Sequence, residues 1–232
     1  VICEAWLGNS NQERKLMKKL SDFVKKGGHL VTTLSCPLGW VYNVIRRFTA
    51  FNIIKNEINF NIKTNKILDL YKPHLKTLKN MSCPHIDWVQ DSMLNPGFLN
   101  THPDPSTFFK DIGNKFNFSF SYPAFYSNWN WYKSLIGKKK DRKNFFLASY
   151  VKNICNFLDY NNIYLEKKLE IAKKLNKTSS ELINNLIKYE ENSSNKNYNS
   201  FLKSLSNIIF LLNICKIQTT ALTEVQKILK YK

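Results

Sequence analysis

The apolar positions of the first 48 residues fall into three groups with different periods. Val1 to Leu7 is a short, nearly continuous apolar run closed by Gly8-Asn9, the pattern of a buried strand. Leu16, Leu20, Phe23 and Val24 then recur at helical spacing. They follow Ser10-Asn11-Gln12-Glu13, a capping-box sequence in which the serine oxygen accepts from a backbone N–H and the glutamate reaches back to the cap. Gly27 supplies the left-handed residue that ends such a helix. His29 to Leu34 is apolar and β-branched, and Pro37 with Gly39 stops it. Strand, helix, strand with short joints predicts a βαβ unit with parallel strands and a right-handed crossover.

The pattern changes along the chain. From 49 to 140 helix and strand periods mix. Pro73 is placed to open a helix running to Met81, and Asp104-Pro105 reads as an N-cap followed by proline at the first helical position. Phe116, Phe118, Phe120 and Tyr122 alternate with Asn and Ser, which predicts a half-buried strand. No glycine or proline follows Gly137, so the tail is predicted to be mainly helical. Within it, Ser180 reads as an N-cap for "ELINNLIKYEE", residues 192–199 as a polar linker, and "SFLKSLSNIIFLLNI" and "LTEVQKILKYK" as two further helices.

Composition narrows the function classes. An apolar content of 43% fills a real core, and the run Ile208 to Leu212 is far shorter than the roughly 20 residues that span a membrane. No membrane association is expected. Five cysteines, at 3, 36, 83, 155 and 215, never form a Cys-x-x-Cys pair, which argues for reduced thiols in a cytoplasm. Thirty-five Lys plus Arg against 17 Asp plus Glu leave a net charge of +18, an attractive field for nucleic acid. Against a dedicated nucleic-acid role, arginine is confined to Arg14, Arg46, Arg47 and Arg142, and Lys, Asn and Ile dominate throughout as AT-rich coding produces.

The order "VICEAWLGNS", capped helix, "FVKKGGHLVTTLSCPLG" resembles the fourth strand, following helix and fifth strand of class I S-adenosylmethionine-dependent methyltransferases. The resemblance covers residues 1 to 48. It implies an α/β fold, a partial, truncated Rossmann-like doubly wound sheet, with residues 1–150 as the methyltransferase part, an acceptor lid at about 80–135, and residues 151–232 as a helical appendage. It also implies S-adenosylmethionine as cofactor and a small-molecule acceptor. The turn Lys25-Lys26-Gly27-Gly28 lacks the proline that the family often carries there, and no G-x-G loop occurs in the chain. That departure, with the absence of an initiating methionine, suggests that the cofactor-binding half lies upstream.

Ligands of open α/β sheets sit beyond the carboxyl ends of the strands. The resemblance therefore puts Glu4 and Trp6 near the cofactor and Cys36 beside the acceptor; the plainer alternatives are a solvated carboxylate, a packing tryptophan and a structural strand stop. In "CPHIDW" an extended backbone points Cys83, His85 and Asp87 to one face, so that Asp87 orients His85 as a general base. A metal site or an ordinary loop histidine are the alternatives there. "YPAFYSNWNWYKSL" concentrates Tyr126, Trp129 and Trp131, rings that suit a pocket wall for a ring-bearing acceptor, stacked bases, or the core of a lid. Two rival functions stand beside methyl transfer. One is nucleic-acid (RNA) binding or modification, and the other is the nucleotide-binding half of a glycosyltransferase.

Overall fold

The computed structural model describes residues 2–3, 11–77, 81–99, 104–122, 139–159 and 162–217. Its elements are β1 (Ile2–Cys3), α1 (Asn11–Asp22), β2 (Val31–Thr32), α2 (Val41–Ile54), α3 (Phe60–Leu75), α4 (His85–Trp88), α5 (Pro105–Ile112), α6 (Lys139–Lys152), α7 (Leu169–Glu191) and α8 (Asn195–Ile214). A 3₁₀ turn, Pro37–Trp40, leads directly into α2, and a π turn, Val89–Leu94, extends α4.

Helix α7 is the axis of the core. Ala172, Leu175, Leu182, Ile183, Leu186 and Tyr189 recur at three and four residues, so they fall on one face, and each is buried. The three residues 192–194 join α7 to α8, too few to let the second helix do anything but fold back antiparallel. Ser194 caps α8 by accepting from the Asn197 N–H, and α8 lays Phe201, Leu205, Ile208 and Leu212 against α7. Across the pair, the Asn185 amide donates to the Ser204 hydroxyl at 2.6 Å. Helix α2 packs on the same core through Phe48, whose ring stacks on Phe201 with centroids 4.1 Å apart. The buried Tyr189 donates its hydroxyl to Asn52 of α2 at 2.7 Å.

Two polar ties fix the remaining elements to this axis. Arg47 is 4% exposed and grips the Glu190 carboxylate through Nε and Nη2 at 2.8 and 2.9 Å, while its Nη1 donates to the Asn95 carbonyl. Asp104 caps α5 by accepting from the Thr107 N–H and takes a second hydrogen bond from Asn176 of α7 at 2.6 Å. Helix α5 in turn holds α1 through the two-point Arg14–Asp111 pair, and Lys115 beyond α5 pairs with Asp22 at the end of α1.

These contacts overturn the partial Rossmann-like, doubly wound sheet. β1 and β2 do pair in parallel, Ile2 opposite Val31 and Cys3 opposite Thr32, but this two-residue ladder is the whole of the sheet among the described residues. A stable sheet needs three or more strands with a shared apolar face. Here most apolar positions follow the helical period, and Val31 is itself 41% exposed. The tail is correspondingly no appendage: residues of α7 and α8 share one apolar cluster with Val41, Val44, Phe108 and Tyr150.

Local expectations divide in the same way. The Asp104-Pro105 start of α5 is as the sequence predicts. Pro73 opens no helix and lies in the last turn of α3, where it removes one N–H donor from the helical ladder. Ser180 lies inside α7 and donates back to the Asn176 carbonyl at 3.1 Å instead of capping. Gly27 has φ of 82°, yet it serves a turn from Lys25 to Gly28 after α1 has ended at Asp22. Residues 116–122 form no strand, and "LTEVQKILKYK" lies outside the described residues.

Replacing Leu182 by Ala in the fully buried centre of α7 is expected to cost about 2–5 kcal/mol in urea unfolding, whereas Leu165→Ala, at a side chain 85% exposed, stays within about 0.5 kcal/mol. Arg47→Ala strands Glu190 and is expected to cost about 3–5 kcal/mol in the same assay.

Candidate functional site

The described residues enclose a cavity of about 310 Å³ between three stretches: the segment from Gly28 to Cys36, helix α5 with the irregular stretch 116–122, and the inner face of α6 with the 3₁₀ turn Ile154–Phe157. The walls follow from sequence. α5 is an amphipathic helix that turns Phe108, Phe109 and Ile112 inward, and α6 adds Phe146 and Tyr150 one turn apart. Phe118 stacks on Phe146 with centroids 4.0 Å apart, and Phe157 meets Tyr150 edge-on at 5.8 Å. A ring-walled space of this size suits a flat, largely apolar molecule.

Polar groups are few and placed at the wall. The Ser121 Oγ is buried and has no hydrogen-bond partner among the described residues, so it is available to a bound molecule. The Cys36 thiol lies on the opposite wall. Burial pushes it up from the ordinary 9.0 to about 11, offset in part by the Tyr150 hydroxyl and by the backbone N–H groups of Gly39 and Leu38. A thiol held protonated in this way is a packing and weak hydrogen-bonding group, not a nucleophile. Gly39 allows the close approach behind it: a Cβ there would stand 3.2 Å from the Phe157 carbonyl oxygen. At the edge, the Lys143 ammonium lies 5.1 Å from the Phe109 ring centroid and brings one positive charge to the site.

The sequence-predicted residues part company here. Cys36 is among the residues lining the cavity. Glu4, Trp6, Tyr126, Trp129 and Trp131 lie outside the described residues. His85 and Asp87 are not among the residues lining the cavity and do not share a face. Pro84 starts a helical turn over 85–88, which sets side chains two apart at roughly 200° to one another, whereas the one-face reading needed extended backbone. Residues 81–94, a quarter of the expected lid, instead pack on α2 and α3, where Val89 and Met93 complete a second cluster with Ala50, Ile54 and Ile67. Among the described residues no group of three or more His, Cys, Asp or Glu could hold a metal ion. Sequence reasoning missed Phe108, Phe146 and Tyr150 as cavity residues. The inward face of α5 was visible as a periodicity, but its opposition to α6 is a tertiary fact.

Cys36, Cys155 and Cys215 are buried while Cys83 is exposed, and burial raises Cys155 to about 12. With iodoacetamide at about pH 8, Cys83 is expected to react about 100-fold or more faster than the buried thiols of Cys36, Cys155 and Cys215, read by peptide mass spectrometry. Because the Cys36 pKa is raised on folding, its contribution to stability is intact below 9.0 and is lost as pH climbs towards about 11, where the unfolded thiol has already ionised. Cys36→Ser should flatten that alkaline loss in unfolding titrations.

No helix among the described residues is long and apolar enough to cross a membrane. No family model matches the chain, and no curated protein or solved structure matches it either.

Proposed function

We propose that this protein binds a small, ring-bearing molecule in the cavity beside Cys36 and acts on it as a methyl acceptor, with S-adenosylmethionine as donor. One observation carries the binding part: the cavity of about 310 Å³ is walled by Phe108, Phe109, Phe118, Phe146 and Tyr150 and offers the Ser121 hydroxyl unpaired. Rings supply large contact area with little rotamer entropy to lose, and one buried hydroxyl is enough to orient a polar substituent. The reaction is the one implied by the sequence resemblance. Its support is the parallel pairing of β1 with β2 on either side of α1, at the segment that continues into the cavity wall. Methyl transfer asks mainly for alignment of donor and acceptor, so an apolar slot with one polar anchor is sufficient equipment on the acceptor side. A cytoplasmic location accompanies this reading, supported by cysteines without paired spacing.

Ligand-observed NMR with phenol and indole should detect binding at roughly millimolar Kd, the range open to fragments of that size. Ser121→Phe, which puts a ring into the cavity from an irregular segment, is expected to weaken that binding at least about tenfold without lowering the thermal midpoint. Unchanged fragment binding in this variant overturns the cavity assignment. Calorimetry of the full-length coding product with S-adenosylhomocysteine forms the second arm. Silence there removes methyl transfer and leaves small-molecule binding standing.

A further inference from the structure

Arg14, Arg46 and Arg47 are not equivalent. Arg14 and Arg47 each hold a carboxylate in a two-point grip. Arg46, the next residue on α2, does not: its Nη1 donates to the Asn43 side-chain carbonyl at 3.1 Å and its Nη2 contacts His74 Nε2 at 3.2 Å. No Asp or Glu among the described residues pairs with it. Arg46 is partly buried between α2 and α3, and Tyr71 closes over its backbone by donating to the Arg46 carbonyl at 2.7 Å.

A guanidinium removed from water without a counter-charge is costly, and desolvation draws Arg46 below its ordinary value. The titratable groups electrostatically coupled to it are His74, Tyr71 and Tyr42, none of them an anion at neutral pH. Donor capacity also remains. Of five guanidinium N–H groups, one is taken by Asn43 and one by His74, so three remain, enough for a two-point contact with an oxyanion. Because arginine cannot accept, the contact with His74 requires Nε2 as acceptor and puts the imidazole proton on Nδ1.

We propose that Arg46 and His74, between α2 and α3, form a binding site for a phosphate-class oxyanion, either free or as part of a phosphate ester. The site is separate from the cavity beside Cys36, and the net charge of +18 favours the approach of such a ligand. Binding and His74 titration are linked. His74 sits below its ordinary 6.5 through burial and the neighbouring Arg46 charge; an anion on Arg46 cancels that repulsion and raises the His74 titration midpoint.

The test follows the His74 imidazole by NMR across pH, in inorganic phosphate and in chloride at equal ionic strength, with a short oligothymidylate as a third arm. Phosphate is expected to raise the His74 midpoint by about half a pH unit or more, equivalent to roughly threefold coupling, while His29 and His85 move together by less. A shift with oligothymidylate assigns the phosphodiester source, and a shift with phosphate alone assigns the free anion. Arg46→Gln should abolish the His74 response, and Lys66→Gln, at an exposed cation of α3, should retain it. If His74 in the unmodified protein responds alike to phosphate and chloride and to neither more than His29 does, or if Lys66→Gln removes the response equally, the site does not exist.

Discussion

Burial of one face of α7 is the constraint on which the rest of this structure depends. Its apolar residues meet α8 on one side and α2 with the Pro37–Trp40 turn on another, so a single helix organises contacts from residue 38 to residue 217. Secondary-structure propensity does not supply this stability. An isolated helix is marginal in water, and what fixes α7 is the area its stripe removes from solvent. The position of every other element follows from how it reaches that axis.

The polar ties show how the periphery is registered. Asp104 satisfies the first turn of α5 and a side chain of α7 with the same carboxylate, which sets the distance between the cavity wall and the core. Arg47 performs the same office for the Val89–Leu94 turn, since its guanidinium joins Glu190 to the Asn95 carbonyl. The cavity beside Cys36 is therefore a space left between an anchored helix and the short β1–β2 ladder. Arg46, one residue earlier, faces away from the core into the seam with α3 and has no comparable acid. Adjacent arginines on one helix thus take opposite roles, one structural and one open to a ligand.

What the sequence made legible is what local chemistry decides. The aspartate-proline start of α5 is visible because cap and proline act within one turn, and the helical character of the tail is visible because nothing in it breaks a helix. The strand-helix-strand order at the start yields a parallel pair, but pattern alone does not tell a two-residue ladder from the edge of a large sheet. Ser180 and the alternating Phe116–Tyr122 stretch mislead for one reason. A capping residue or a period of two is a local preference, and a long buried stripe on α7 or ring stacking on Phe146 outweighs it. His85 and Asp87 fail as a pair because a single turn of helix at Pro84 replaces the extended backbone their spacing needed. Of the candidate site, Cys36 was within reach of sequence; the ring walls and the Arg46–His74 contact were not, since each joins segments distant in the chain.

Native-state hydrogen exchange tests most directly whether the α7 face is the stabilising unit. Amides of Leu175 to Tyr189 should exchange only through global unfolding, with a free energy that tracks denaturant as the whole protein does, while amides of 29–35 open at lower cost. Protection of 29–35 equal to or above that of α7 would contradict the account and return the sheet to the centre of the fold.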